Sequence, residues 1–288
     1  MRHSIGYLQE IGPDDLVRQG DIFSIQSTNE EHEKWAVLLT KDCDIVQEKF
    51  GSHLTYLPIY SFNEYIEKYY SPKKIEILKS ENMKNVINTF KYLIGDEKEA
   101  FELTEESLQE WISDEGIEGI CGCFESNNKK KGDLDKYLRT FSILTDSSAR
   151  KYSNNNWRRI LDVHLSNGKN EDKIKKEICN HILKSMGDEF IFVPELPEVD
   201  SAGFIIHLRE IKSIDCSQVF ASAYNAKKIG ATFPRLIRIG RFSDYLRFSI
   251  AQNAALLFSR IGMEENFEVD RKIMVDLASE SAVKEFLK

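Results

Sequence analysis

The chain has 288 residues, 41% of them hydrophobic and 11% aromatic, which is enough apolar material for one large or two ordinary domains. Its 39 Lys and Arg against 47 Asp and Glu give a formal net charge of −8, which argues against a protein coated in phosphate contacts but leaves room for a local basic groove. The first residues lack a signal-peptide pattern and no run approaches the roughly 20 apolar residues of a membrane span, so we expect a soluble, cytoplasmic protein.

The first block, residues 1–61, is predicted to be β structure. Residues 22–25 follow Gly20-Asp21 as a short strand, and the apolar run 35–39 is typical of a strand buried on both faces. Residues 27–34 have the composition of a loop, and 54–59 form the next strand.

The second block, residues 62–187, is predicted to be mainly helical. Residues 63–70 and 75–92 have helical patterns, with Pro72 expected to end the first helix. Thr104 is the expected N-cap of a further helix. The expected surface loops are 127–132 and 153–156, and residues 171–186 form an amphipathic helix.

β structure returns in the third block, residues 188–288. Strands are predicted at 189–193, 204–208 and 210–215, and a closing helix at about 242–261, ended by Gly262. Strands at both ends with helices between them indicate an α+β fold, in which a β domain is interrupted by a helical insertion.

The order of motifs in the two β blocks resembles the PemK/MazF family of toxins. The first block carries Gly20-Asp21-Ile22, then the run from Lys34 through Thr40 to Asp42, then Leu57-Pro58-Ile59-Tyr60. In the third block, residues 203–208 precede 209–217, and Ile239-Gly240-Arg241-Phe242 leads into the last helix. The resemblance covers about 40% of the chain, and it implies a small, strongly bent β-barrel from a prokaryotic toxin or anti-phage defence system.

The same resemblance implies cleavage of single-stranded RNA without a metal. By position, the family's acid/base Arg corresponds to Lys34 and its Thr to Tyr60, with Ser61 beside it, and Thr40 and Asp42 complete the expected catalytic group. Lys lacks the two-pronged phosphate contact of Arg, and Tyr is bulkier than Thr. The resemblance therefore implies the fold more directly than the reaction.

Asp42-Cys43-Asp44 follows an apolar strand and has two interpretations. In the first, the aspartates form a turn and Cys43 packs inward. In the second, Thr40, Asp42 and Cys43 face a ligand, although two carboxylates would raise the pKa of the thiol. No cofactor or metal is expected, since Cys121-Gly122-Cys123 lacks a second ligand pair and no His lies near Asp42 and Asp44.

Five residues are candidates for contacts with nucleic acid. Trp157, Arg158 and Arg159 form either a clamp for a base and a phosphate or a solvated helix start. His207 and Arg209 lie two residues apart in a predicted strand, so both are expected on one face, with His207 either a general base or a structural residue. Three further arginines, at 235, 238 and 241, are expected to line a groove or to pair with the acidic insertion.

Two functions stay open from the sequence. One is a barrel that binds single-stranded RNA and cleaves it without metal. The other is a non-catalytic scaffold or regulatory component that binds a partner protein from the same defence operon. A homodimer is a further expectation, and a membrane is not an expected partner.

Overall fold

The computed structural model describes residues 6–12, 15–28, 34–95, 103–124, 129–146, 156–201, 203–230 and 232–259. The protein is a mixed structure, 57% helical and 20% strand, built around a strongly curled antiparallel sheet. This agrees with the mixed helix and strand composition predicted from the sequence.

The described residues form one nine-stranded sheet. Its strands are β1 Leu8–Gln9, β2 Asp21–Gln26, β3 Trp35–Leu38, β4 His53–Ser61, β5 Phe190–Val193, β6 Phe204–His207, β7 Lys212–Asp215, β8 Val219–Phe220 and β9 Arg235–Phe242. The main path runs β1-β9-β2-β3-β4-β6-β5, while β7 pairs with β4 and β8 pairs with β9. Strand β8 is parallel to β9, and the pairs β1–β9, β2–β9, β2–β3, β3–β4 and β4–β7 are antiparallel.

The sheet is a strongly curled half-barrel, which agrees in part with the strongly bent barrel expected from the sequence. The path of paired strands ends on β1 at one edge and on β5 at the other. Closure of a barrel requires the two edge strands to hydrogen-bond to each other, and the strand order of the described residues contains no such pair.

The chain divides into two compact units. The sheet unit comprises Met1–Ile59, Asp188–Asp200 and Ile206–Lys288, and the helical unit comprises Tyr60–Gly187 and Ser201–Ile205. Within the sheet unit, strands β2, β3 and β4 pair in register through Ile22 with Val37 and Val37 with Leu57. A core cluster of this unit gathers apolar side chains from β2, β3, β4, β7 and β9, namely Phe23, Ala36, Leu38, Leu54, Tyr56, Ile214 and Leu236.

The helical unit has its own core. Its helices are α2 Phe62–Tyr65, α3 Ser71–Ile94, α4 Glu105–Gly122, α5 Lys129–Thr145, α6 Asn156–Ser166 and α7 Glu171–Ser185. Buried side chains of α3, α4 and α5 form a cluster that includes Val86, Phe90, Leu108, Leu138 and Phe141. Thr104 caps α4 as predicted, because its side chain accepts a hydrogen bond from the Ser107 backbone N–H.

Pro72 does not end the first helix of this unit, which corrects the prediction. A π-helical turn, Ile66–Tyr70, joins α2 directly to α3, and Pro72 sits in the first turn of α3. Proline lacks the backbone N–H and its ring crowds the preceding turn of an α-helix. The wider π turn lies at that preceding turn and leaves room for the proline ring. The helical segment therefore continues past Pro72.

Within the described residues, the sheet unit has the helices α1 Asp42–Val46, α8 Ala223–Ile229 and α9 Asp244–Ser259. The predicted loop at 127–132 is wrong from Lys129 onward, where α5 begins, and residues 127–128 lie outside the described residues. The predicted loop at 153–156 is outside them too, except for Asn156, which begins α6. Residues 29–33 of the first loop and the expected helix end at 260–262 are likewise not described.

Candidate functional site

Asp42-Cys43-Asp44 begins the short helix α1, where the first interpretation expected a turn, and Asp42 accepts a backbone N–H as that interpretation expected. Cys43 is exposed, and its sulfur lies 3.6 Å from Asp44 Oδ1, so the thiol does not pack inward. Thr40 faces its neighbour strand, where its Oγ1 accepts from the Thr55 backbone N–H at 2.7 Å. Asp42 lines a cavity of the sheet unit whose lining does not include Thr40 or Cys43.

The Asp42 carboxylate is held by two donors of the sheet unit. The backbone N–H of Gln19 donates to Oδ1 at 2.7 Å, and Arg247 Nη1 donates to Oδ2 at 2.7 Å. Arg247 Nε also donates to Asp244 at 2.8 Å. Asp42 therefore fixes helix α9 against helix α1.

Gly20 makes this arrangement sterically feasible. Its φ of +85° is a left-handed value that favours glycine, and a Cβ built there would lie 2.5 Å from Cβ of Arg247. Gly20 of the Gly20-Asp21 motif is therefore needed for the close packing of helix α9.

A cavity of the sheet unit, about 880 Å³ in volume, adjoins this network. This volume lies within the usual range for binding pockets, about 300–1,000 Å³. Three chain segments line it: the loop before β2, helix α1, and the stretch from β8 into α8. The lining residues are Asp15, Leu16, Val17, Arg18, Asp42, Ile45, Val46, Val219, Ala221 and Asn225.

A second cavity, about 470 Å³ in volume, extends the first. The two share Val219, Ala221 and Asn225 in their linings, and we call them together the groove. Two apolar side chains of the lining are unusually open to solvent, since Leu16 is 73% and Val46 is 76% exposed. The groove therefore has an apolar rim.

Two of the three arginines considered above form a buried cluster with Asp21 in the sheet unit. Arg241 Nε donates to Asp21 Oδ1, and Arg238 Nη1 lies 3.4 Å from Asp21 Oδ2. Both guanidinium groups also donate to the backbone carbonyl of Leu16, at 3.1 Å from Arg238 and 2.8 Å from Arg241. The expectation that these two line a groove or pair with the insertion is wrong, because β2 and β9 pair as neighbours and bring Asp21 directly opposite Arg241.

Lys34 belongs to the sheet unit and lies just before β3, with its Nζ 6.0 Å from the Trp35 ring centroid. Tyr60 and Ser61 end strand β4 and belong to the helical unit. The Tyr60 hydroxyl accepts a hydrogen bond from Lys68 Nζ at 3.0 Å. Ser61 is the N-cap of α2, accepting from the Glu64 backbone N–H and donating to the Glu64 carboxylate at 2.7 Å. Both hydroxyls thus take part in local structure.

His207 and Arg209 do not share a strand face, since β6 ends at His207. In the sheet unit, His207 stacks on Phe190 with ring centroids 4.6 Å apart, and its Nδ1 lies 3.2 Å from Glu210 Oε2. Arg209 is exposed and pairs with Glu189 at 3.0 Å. Residues two apart share a face only within a strand, and the chain turns after His207.

Trp157, Arg158 and Arg159 begin helix α6 of the helical unit. Arg159 donates to the backbone carbonyls of Leu144 and Asp146, at 3.2 Å and 2.7 Å, and so caps the end of α5. Arg158 is exposed and lies 3.9 Å from Asp162. The three residues thus lie together in the first turn of α6, and the Arg159 side chain stabilises the end of α5.

The helical unit also holds a group of buried polar side chains that no sequence motif indicated. Tyr70, from the π turn, meets the rings of Trp157 and His181 edge-on at centroid distances of 6.3 Å and 5.5 Å. Burial raises the pKa of Tyr70 to about 12. Burial also raises the pKa of Glu67, against a hydrogen bond from the Trp157 backbone that lowers it.

The polar atoms of this group are incompletely satisfied. Tyr70 Oη, Glu67 Oε2, Ser71 Oγ and His181 Nδ1 are buried and find no hydrogen-bond partner in the part of the chain that the structure describes. Burial lowers the pKa of His181, and the charge of Lys74 lowers it further. Both effects favour the neutral form of His181.

All five cysteines are free thiols. Across the described ranges, no group of three or more His, Cys, Asp or Glu side chains is placed to hold a metal ion. Among those same residues, no helix is both long enough and apolar enough to cross a membrane.

Sequence reasoning identified Asp42 but missed most of the groove. Leu16, Val46 and Asn225 have no motif around them, and the first and last of them are 225 − 16 = 209 residues apart along the chain. One available signal was the run Asp15 to Arg18, where two apolar residues lie between two charged ones ahead of Gly20-Asp21. Comparison with protein-family models, curated proteins and solved structures finds no match to this chain.

Proposed function

We propose that this chain is a non-catalytic interaction protein that holds a segment of a partner protein in the groove of its sheet unit. One observation carries the proposal: the groove consists of two adjoining cavities, and the apolar side chains at its rim are exposed to solvent. Exposed apolar surface around a cleft is typical of protein–protein contacts. A small ligand inside the cleft would leave Leu16 and Val46 in water.

The chemistry of the lining defines the expected partner. Val17, Ile45 and Val219 offer apolar contacts, and Arg18 is an exposed cation whose side chain has no bonded partner within the described residues. Asp42 is occupied by Gln19 and Arg247. We therefore expect a partner segment with several apolar side chains and one acidic group for Arg18.

The contacts of the expected catalytic residues support the same proposal. The hydroxyls of Thr40, Tyr60 and Ser61 each take part in hydrogen bonds of the fold, and Asp42 is tied to Arg247. A catalytic group must be within hydrogen-bond reach of its substrate and able to exchange a proton there. The setting in a toxin or anti-phage system is supported by the motif order of the sequence.

The proposal is tested with a photo-crosslinking amino acid placed at Val46, and at Tyr92 of the helical unit as a matched exposed control. We expect one protein to crosslink from Val46 in cells and not from Tyr92. That protein is then purified, and its binding should weaken at least about tenfold, or about 1.4 kcal/mol, in Val46→Asp and stay unchanged in Tyr92→Asp. Equal binding by both variants would disprove the role of the groove.

A second candidate function, binding and metal-free cleavage of single-stranded RNA, is favoured by the strongly curled half-barrel sheet. Incubation of the purified protein with single-stranded RNA in the presence of a chelator tests it. Cleavage that is lost in Lys34→Ala would establish the ribonuclease and overturn the non-catalytic proposal. No cleavage, together with the Val46-dependent complex, would support the interaction protein.

A further inference from the structure

Helix α1, Asp42–Val46, carries one wall of the groove and has few contacts to hold it in place. None of its five residues is buried, and its N-cap, Lys41, makes no side-chain capping hydrogen bond. A helix this short is not stable by itself in water. Its position therefore depends on the contacts that its side chains make with the rest of the sheet unit.

Ile45 and Asp42 make such contacts. Ile45 is partly buried against the core cluster of the sheet unit. The Asp42 carboxylate, whose side chain is 37% exposed, accepts from the Gln19 backbone N–H and from Arg247 Nη1, both at 2.7 Å. Asp42 is thus the polar attachment of α1, and Ile45 is the apolar one.

Arg247 holds this polar attachment from helix α9. Its side chain is 10% exposed, its Nη1 also donates to the Gln19 carbonyl oxygen at 3.4 Å, and its Nε donates to Asp244 at 2.8 Å. Hydrogen bonds between charged groups are roughly twice as strong as neutral ones. Because the Gln19 backbone bonds to both Asp42 and Arg247, one closed set of bonds joins α9, α1 and the segment before β2.

This set of bonds reaches two walls of the groove. Leu16 lies three residues before Gln19, and Val46 lies four residues, or about one helical turn, after Asp42. Leu16 and Val46 are the exposed apolar side chains of the rim. Arg247 itself does not line either cavity. It therefore acts on the separation of the two walls without facing the groove.

We propose that Arg247 is the positioning residue of the groove. Through Asp42 it sets the place of the wall that carries Val46, so the groove is formed before a partner arrives. Binding to a preformed site loses less conformational entropy than binding to a site that must first become ordered. This inference rests on the proposed function of the groove, and it places a determinant of affinity on α9, outside the lining.

Hydrogen exchange of the full chain, followed by mass spectrometry, tests the role of Arg247 without a partner. In Arg247→Gln we expect the amides of residues 44–49, which include donors of α1 and of the turn after it, to exchange at least about tenfold faster than in the wild type. Arg139→Gln, which breaks the exposed pair with Asp135 in the helical unit, is the matched control and should leave this exchange unchanged. Peptides of β3 and β9 should stay protected in both variants.

Two results of this experiment would overturn the proposal. One is unchanged exchange of residues 44–49 in Arg247→Gln. The other is an equal acceleration in β3 and β9, which would give Arg247 a general structural role.

Affinity for the protein that crosslinks from Val46 is the second readout. We expect Arg247→Gln and Asp42→Asn each to weaken its binding at least about fivefold, and the double variant to bind no more weakly than the weaker single variant, because both changes remove the same bond. Losses that multiply in the double variant would show that Arg247 acts elsewhere and would overturn the proposal. Normal binding by Val46→Asp would instead disprove the groove as the binding site, and the exchange of residues 44–49 would still decide whether Arg247 positions α1.

Discussion

Replacing Asp21 by Asn should cost the sheet unit a large part of its stability. The side chains of Asp21, Arg238 and Arg241 are only 0%, 1% and 3% exposed. Water therefore does not screen their charges, and the Asp21 carboxylate compensates the two guanidinium groups. Removing one partner of a buried ion pair leaves an uncompensated charge and costs about 3–5 kcal/mol. Because the Leu16 carbonyl still accepts from both guanidiniums, we expect the lower end, about 3 kcal/mol.

Urea unfolding measures this loss. With a slope of roughly 1–3 kcal/mol per molar urea, the midpoint should fall by on the order of 1–3 M. Hydrogen exchange in β2 and β9 assigns the loss to the sheet unit. Asp135→Asn breaks the exposed pair with Arg139 and serves as the control, with no resolvable change expected. A midpoint for Asp21→Asn equal to that of the control would refute a stabilising role for the buried cluster.

Three further predictions follow from local geometry. A Cβ at Gly240 would lie 2.3 Å from Cγ of Pro197, so Gly240→Ala should lower the melting temperature, and an unchanged value would contradict this close approach. Ser61→Ala removes the N-cap of α2 and should cost about 1 kcal/mol in urea unfolding, whereas Ser61→Asp should retain most of it. Burial lowers the pKa values of His164 and His181, so the unfolded chain binds their protons more readily and stability should fall as the pH drops below about 6.5. Hydrogen exchange in α6 and α7 at pH 7.5 and pH 5.5 measures this loss of stability, and its pH dependence should weaken in His181→Phe. Faster exchange at pH 7.5 than at pH 5.5, after correction for the intrinsic rate, would contradict the prediction.

Local patterns were sufficient for most elements of the fold. The apolar run at 35–39 became β3, and the amphipathic run at 171–186 became α7, because the spacing of apolar residues sets which side of an element can be buried. The cap at Thr104 was equally visible, since it depends on four consecutive residues. Such features need no knowledge of distant segments.

Where the prediction failed, a distant or unusual contact decided the outcome. Pro72 ends an α-helix by the usual rule, but the π turn before it let the helix continue. Arg209 was assigned to the face of His207, but the chain turns after His207. The half-barrel shape depends on the order in which the strands pair, with β1 and β5 at the two edges of the path. Residue composition does not determine that order.

By itself, the sequence determined the alternation of β and helical blocks and drew attention to Gly20-Asp21 and Asp42, because these follow from periodicity and from motifs a few residues long. Only the tertiary structure decided what these residues do. Asp21 meets Arg241 from more than 200 residues away, and Asp42 meets Arg247 over a similar separation. Charges of this kind find their partners through strand pairing and helix packing, so their roles appear only once the sheet has brought the two ends of the chain together.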